Sequence, residues 1–72
     1  MSGALDAIFA RLSANARAAE ILADLDRLPP EIASRGRALL ARGIALNRAS
    51  EPMAALSALT RAADQFQEAG DA

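Results

Sequence analysis

Few side chains in this 72-residue chain could do chemistry, and their spacing does not suit it. Two acid pairs stand out. Asp24 and Asp26 do not share a helix face. Asp64 and Glu68 do, four residues apart, beside Arg61. A carboxylate pair needs a nucleophile or a second base in reach to act as acid and base, and neither pair has one. Ser13, Ser34, Ser50 and Ser57 have no His or Lys to activate them, because the chain contains neither. With no Cys and no His, the usual zinc, haem and thiol chemistries are removed as well. Arg35-Gly36-Arg37 is not a glycine-rich phosphate loop. Arg35, Arg37, Arg42 and Arg48 fall within one segment, but they do not share one face, and no aromatic lies among them to stack on bases. The reading is a chain without catalysis, metal, cofactor or nucleic acid.

The elements that carry these residues are helical. Twenty residues are alanine, one is threonine and none is valine, so the residue types that favour strands are missing. Alanine with leucine, arginine and glutamate favours helix. Only eighteen apolar side chains are large: ten Leu, four Ile, two Met and two Phe. Below roughly 70–80 residues such a core rarely supplies more than about 3–5 kcal/mol. Very close helix packing or a second chain is therefore expected to help.

Punctuation divides the chain into three helical segments. Pro29-Pro30 interrupts it first, since proline breaks a helix interior and restricts the residue before it. Ser50-Glu51-Pro52 is the second boundary, with Ser50 as a cap and Pro52 in a first turn. Gly70 suits a helix stop. The segments are about 3–27, 30–48 and 51–69. They predict an all-α, antiparallel bundle of three helices, or four if the first segment breaks. That segment has two apolar faces, nearly opposite: Leu5, Ile8, Phe9 and Leu12, then Ile21, Leu22, Leu25 and Leu28. A break near Ser13-Ala14-Asn15 could separate them. One long helix with two different partners is the favoured reading, because no Gly or Pro intervenes.

In the second segment Ile32, Gly36, Leu39, Gly43 and Leu46 form a stripe, with Leu40 and Ile44 on a second face. A helical glycine costs about 1 kcal/mol relative to alanine. Two of them seven residues apart on one stripe point to close approach of a facing helix. In the third segment Ala55, Leu59, Ala62, Phe66 and Ala69 form the matching stripe, widened by Met53, Leu56 and Ala63. Charge follows the same division. Residues 1–32 carry three Arg and five acids, 33–50 four Arg and no acid, and 51–72 one Arg and four acids. The basic middle segment either neutralises its packed neighbours or forms a groove for an acidic peptide.

Gly36, Leu39, Gly43 and Leu46, followed by the triplet Ala55, Leu59 and Ala62, resemble one tetratricopeptide repeat, a helical hairpin of about 34 residues. Arg42 departs from the usual apolar residue at its position, and no proline follows Phe66. Gly70-Asp71 resembles the opening of a next unit. Upstream, Ala18, Leu22, Leu25 and Pro30 resemble a second helix of a preceding repeat, about three residues out of register. The resemblance implies a protein-binding module whose first helix lines the binding surface with Arg37, Leu40, Ile44, Asn47 and Arg48. Arg37 and Arg48 would take carboxylates, Asn47 backbone, and Leu40 and Ile44 an apolar side chain. The alternative is that the first segment covers Leu40 and Ile44 as ordinary core.

Two functions follow as expectations. One is an adaptor or scaffold that binds a protein or peptide, with an acidic peptide suited to the arginines. The other is a dimerisation or docking domain of a larger assembly, self-associating through Leu5, Ile8, Phe9 and Leu12. No run of about 18 apolar residues exists to span a bilayer, and the N-terminus lacks a basic region and carries Asp6. A cytoplasmic chain is expected.

Overall fold

A computed structural model describes residues 3–68. Five helices occur among them: α1 (Ala4–Ser13), α2 (Ala18–Asp26), α3 (Pro30–Ala33), α4 (Gly36–Arg48) and α5 (Pro52–Glu68). The all-α expectation holds, with no strand among the described residues. Ala69, Gly70 and Asp71, named above in the last stripe, the helix stop and the repeat ending, lie outside the described residues.

The single long N-terminal helix is corrected to two, and the reason is burial. A break lets both of its apolar faces turn to one core. Ile8 and Leu12 from α1 and Ile21 and Leu25 from α2 pack in the same cluster with Ala38, Ala41 and Ala45 of α4. Asn15 makes the break. Its φ is 62°, the left-handed region that asparagine tolerates better than most residues. The Asn15 N–H donates to the Leu12 carbonyl at 3.1 Å and the Ala16 N–H to the Arg11 carbonyl at 3.0 Å. These are the two bonds of a Schellman ending.

The same ending closes α4. Ser50 has φ 63°. Its N–H donates to the Asn47 carbonyl at 3.1 Å, and the Glu51 N–H donates to the Leu46 carbonyl at 2.9 Å. Ser50, expected to cap the start of α5, thus terminates α4. Pro52 opens α5 as expected. Serine has no such tolerance for this conformation, so Ser50→Gly is expected to raise stability by about 0.5–1 kcal/mol, and Asn15→Gly by less. Urea midpoints for the two variants check the order; a Ser50→Gly midpoint below wild type would contradict it.

The second segment also divides. Pro30 starts the single turn α3, and Arg35, with ψ 152°, leaves the helical region before Gly36 begins α4. Ile32 therefore belongs to a different helix from the rest of its expected stripe.

Helix α4 is the centre of the fold, packed on α5, α2 and α1. Its two faces differ in kind. Ala38, Ala41 and Ala45 are buried against α1 and α2. Gly36 and Gly43 lie under side chains of α5: a Cβ built at Gly36 would meet the Phe66 ring at 3.0 Å, and one built at Gly43 would meet Leu59 at 2.5 Å. Ala55, Ala58 and Ala62 are the buried residues of α5. Small residues thus meet along both seams; among the described residues the large buried side chains are Ile8, Leu12, Ile21, Leu25 and Leu39, with Ile21 and Leu25 the least exposed.

Candidate functional site

Two of the four arginines in the basic middle segment, Arg37 and Arg42, pair with acids of α1 and α2. Arg37 donates to Asp6 of α1 at 3.1 Å, and its guanidinium lies 5.2 Å from the Phe9 ring centroid. Arg42 donates to Asp26 of α2 at 2.9 Å. Arg48 donates to the Leu12 carbonyl near the end of α1 at 2.9 Å. Arg11 joins α1 to α2 by pairing with Asp24 and with Glu20, the latter at 2.6 Å. These pairs are mostly solvated and each contributes little. Together they fix which helix lies beside which.

This network occupies the residues expected to form a groove. Arg37, Ile44 and Arg48 follow one side of α4, and Arg37 and Arg48 bond to α1. Ile44 is half-buried and packs against the α1–α2 core. Leu40 is half-buried, and Asn47 is exposed. At 3.6 residues per turn, Leu40 and Asn47 lie between the row facing α5 and the row facing α1. Arg37, Ile44 and Arg48 therefore engage α1 or the α1–α2 core, so the covered-core alternative describes Ile44, while Leu40 is not part of that cluster.

The residues expected to self-associate are similarly engaged. Ile8 and Leu12 are buried in the chain's own core, and Leu5 and Phe9 are partly buried against it. The open apolar surface lies elsewhere. Met53 is 78% exposed, Leu56 60%, Leu59 37% and Phe66 36%, and all four are on α5. Met53 and Leu56 share one side of that helix with Thr60 and Ala63, turned away from Ala55, Ala58 and Ala62, whereas Leu59 and Phe66 lie at the edge of the contact, over Gly43 and Gly36 of α4. Among the described residues the principal neighbour of α5 is α4, and the Met53–Leu56 side is left uncovered. The signal for it was in the sequence: Met53, Leu56 and Ala63 widen the α5 stripe beyond what a single partner helix covers.

Two concavities on the surface have no catalytic chemistry among their lining residues. One, of about 330 Å³, is lined by Ala7, Ile8, Arg11, Asp24, Arg27, Leu28 and Pro29. Its charged groups are tied to each other. The other, of about 470 Å³, is lined by Pro30, Ala33, Ser34, Leu39, Arg42 and Arg61. Ser34 there has no base to activate it. No group of three or more His, Cys, Asp or Glu able to hold a metal occurs among the described residues. No helix among them is long and apolar enough to cross a membrane.

No family model, curated protein or solved structure matches the chain.

Proposed function

We propose that the chain is a non-catalytic protein–protein interaction module, an adaptor or scaffold built on a hairpin resembling a tetratricopeptide repeat, and that it works in the cytoplasm. The uncovered side of α5 carries the reading. Contiguous exposed apolar surface marks interaction sites, and Met53 and Leu56 stand side by side there. The α4–α5 hairpin supports the resemblance, with Gly36 and Gly43 under Phe66 and Leu59 and with Ala55 and Ala62 at the contact. The resemblance names Arg37, Leu40, Ile44, Asn47 and Arg48 as the binding strip. Because α1 engages most of that strip, partner contact is assigned first to α5, with Leu40 and Asn47 as its margin.

The second reading, a dimerisation or docking domain within a larger assembly, is favoured by the same open side and the small core. It shifts self-association from Leu5, Ile8, Phe9 and Leu12 to α5.

The test changes Met53 and Leu56 to glutamate together. Both are exposed, so helicity by circular dichroism is expected to be kept and stability to stay within about 0.5 kcal/mol of wild type. Partners retained by the wild-type chain should be lost from the variant, while Arg37→Glu leaves their capture unchanged. Light scattering over a range of concentrations separates the readings: a dimer that the double variant dissociates supports docking, and a monomer supports the adaptor. An unchanged partner set with the Met53 and Leu56 variant overturns the assignment to α5.

A further inference from the structure

We propose that α1 is exchanged between two copies of the chain: the turn at Asn15 straightens, α1 and α2 join as one helix over residues 4–26, and each α1 docks on the α2–α4 face of the other copy. The proposal goes beyond the interaction-module reading and does not rest on it.

The junction between α1 and α2 is weakly specified by its own residues. Asn15 holds a left-handed φ of 62° without being glycine. Helix α2 then opens on Arg17, which supplies no side-chain cap and is a poor type for that position. Ala14, Ala16, Arg17 and Ala18 around the turn all favour helix. Straightening relieves the strain at Asn15. It also lets the Ala18 and Ala19 N–H groups, in the open first turn of α2, donate to the Ala14 and Asn15 carbonyls. The other left-handed turn cannot follow. Ser50 has φ 63°, but a helix continued through it would meet Pro52, whose ring clashes with the Arg48 carbonyl.

Tertiary packing therefore holds the turn closed, and that packing does not require the two helices to belong to one chain. Helix α1 seats Ile8 and Leu12 on Ile21, Leu25, Ala38, Ala41 and Ala45. It is fastened by Arg37 to Asp6, by Arg48 to the Leu12 carbonyl and by Arg11 to Asp24. Ile8 precedes Ile21 by thirteen residues, as Leu12 precedes Leu25. In a straight helix that spacing sets the two pairs about 140° apart. A straightened chain thus turns Ile8 and Leu12 away from its own core and leaves the seat of α1 empty. A second straightened copy has the matching helix and the matching seat, so exchange restores the same contacts in both. Exchange of an identical element is a low-cost route to a dimer, and strained hinge turns invite it. Leu5, Ile8, Phe9 and Leu12 then meet a second chain, and the exchange makes no use of the Met53–Leu56 side of α5.

The test is size-exclusion chromatography with light scattering over a range of concentrations, on the full chain refolded from urea. Asn15→Ala removes the residue that tolerates the turn, in both copies at once, and is expected to strengthen the dimer about tenfold or more. Arg17→Pro fits the monomer, where residue 17 has φ −64°, and blocks a helix through it. It is expected to abolish the dimer and keep the fold. The wild-type dimer at millimolar concentration, lost in Arg17→Pro, carries the test if Asn15→Ala loses helicity. Met53→Glu with Leu56→Glu should leave the exchanged dimer intact, which separates this contact from one through α5. In the Asn15→Ala background, a chain with Asp6→Arg refolded together with a chain with Arg37→Asp should form mixed dimers beyond random pairing. Opposite charges then meet at both seats, whereas each chain alone sets like charges together. Three results overturn the exchange: a folded Asn15→Ala chain that stays monomeric at millimolar concentration, a dimer that survives Arg17→Pro, or mixed dimers no more frequent than random.

Discussion

Leu25→Ala is expected to leave the chain unfolded in water at room temperature. Ile21 and Leu25 are the least exposed large side chains among the described residues. They sit where α1, α2 and α4 meet, surrounded by Ala38, Ala41 and Ala45. Truncating such a residue removes its transfer free energy and leaves a cavity, for a cost of about 2–5 kcal/mol. Alanine neighbours on α4 have no longer side chains to swing into the void, so collapse around it is limited. A domain of this size without disulfide or metal has about 3–5 kcal/mol in total. The loss is therefore comparable to everything the fold has. Leu56→Ala on the open side of α5 is the control, expected to change stability by less than about 0.5 kcal/mol. Far-UV circular dichroism with urea titration reads both. A Leu25→Ala midpoint close to wild type would show that the α1–α2–α4 cluster is not what holds the chain together.

The contrast between Leu25 and Leu56 shows what could be read from sequence and what could not. Helix class came from composition, and the small-residue seam of the α4–α5 hairpin from the phase of Gly36, Gly43, Ala55 and Ala62. Both are local properties. Whether a leucine is core or surface depends on where the chain turns, and the decisive turn rests on Asn15, whose left-handed φ has no proline or glycine to announce it. Missing that break kept Ile8 and Leu12 on the opposite face from Ile21 and Leu25, and so free for a second chain. Once α1 folds back beside α2, those faces join, and the unsatisfied apolar surface moves to Met53 and Leu56. The arginine strip moved for the same reason. From sequence, Arg37 and Arg48 fit either a groove or the packing of a neighbouring helix, and the position of α1 decides it by setting Asp6 and the Leu12 carbonyl beside them.

Gly43→Leu is expected to detach α5 from α4. A Cβ at Gly43 would already stand 2.5 Å from Leu59 Cδ2, 2.6 Å from Leu59 Cγ and 3.4 Å from the Ala55 carbonyl oxygen. The Leu59 side chain is partly exposed and has room to swing aside, so one added carbon is survivable. A whole leucine is not, because the Ala55 backbone behind Leu59 cannot give way without moving α5 itself. Overpacking costs typically about 1–3 kcal/mol and here acts on the main attachment of the helix. Limited proteolysis should cut Gly43→Leu within α5 much faster than wild type. Gly43→Ala separates the two effects that oppose each other at this site. Alanine is favoured in a helix over glycine by about 1 kcal/mol. Displacing Leu59 must cost more than that if close approach is the reason for the glycine, so Gly43→Ala is expected to destabilise. In a Leu59→Ala background the obstruction is gone and the same change should stabilise by about 0.5–1 kcal/mol. The sign reversal is the coupling between the two residues, in the range of about 0.5–3 kcal/mol seen for neighbours in contact. Equal effects in both backgrounds would mean that Gly43 is tolerated rather than required, and that the seam does not depend on close approach at that crossing.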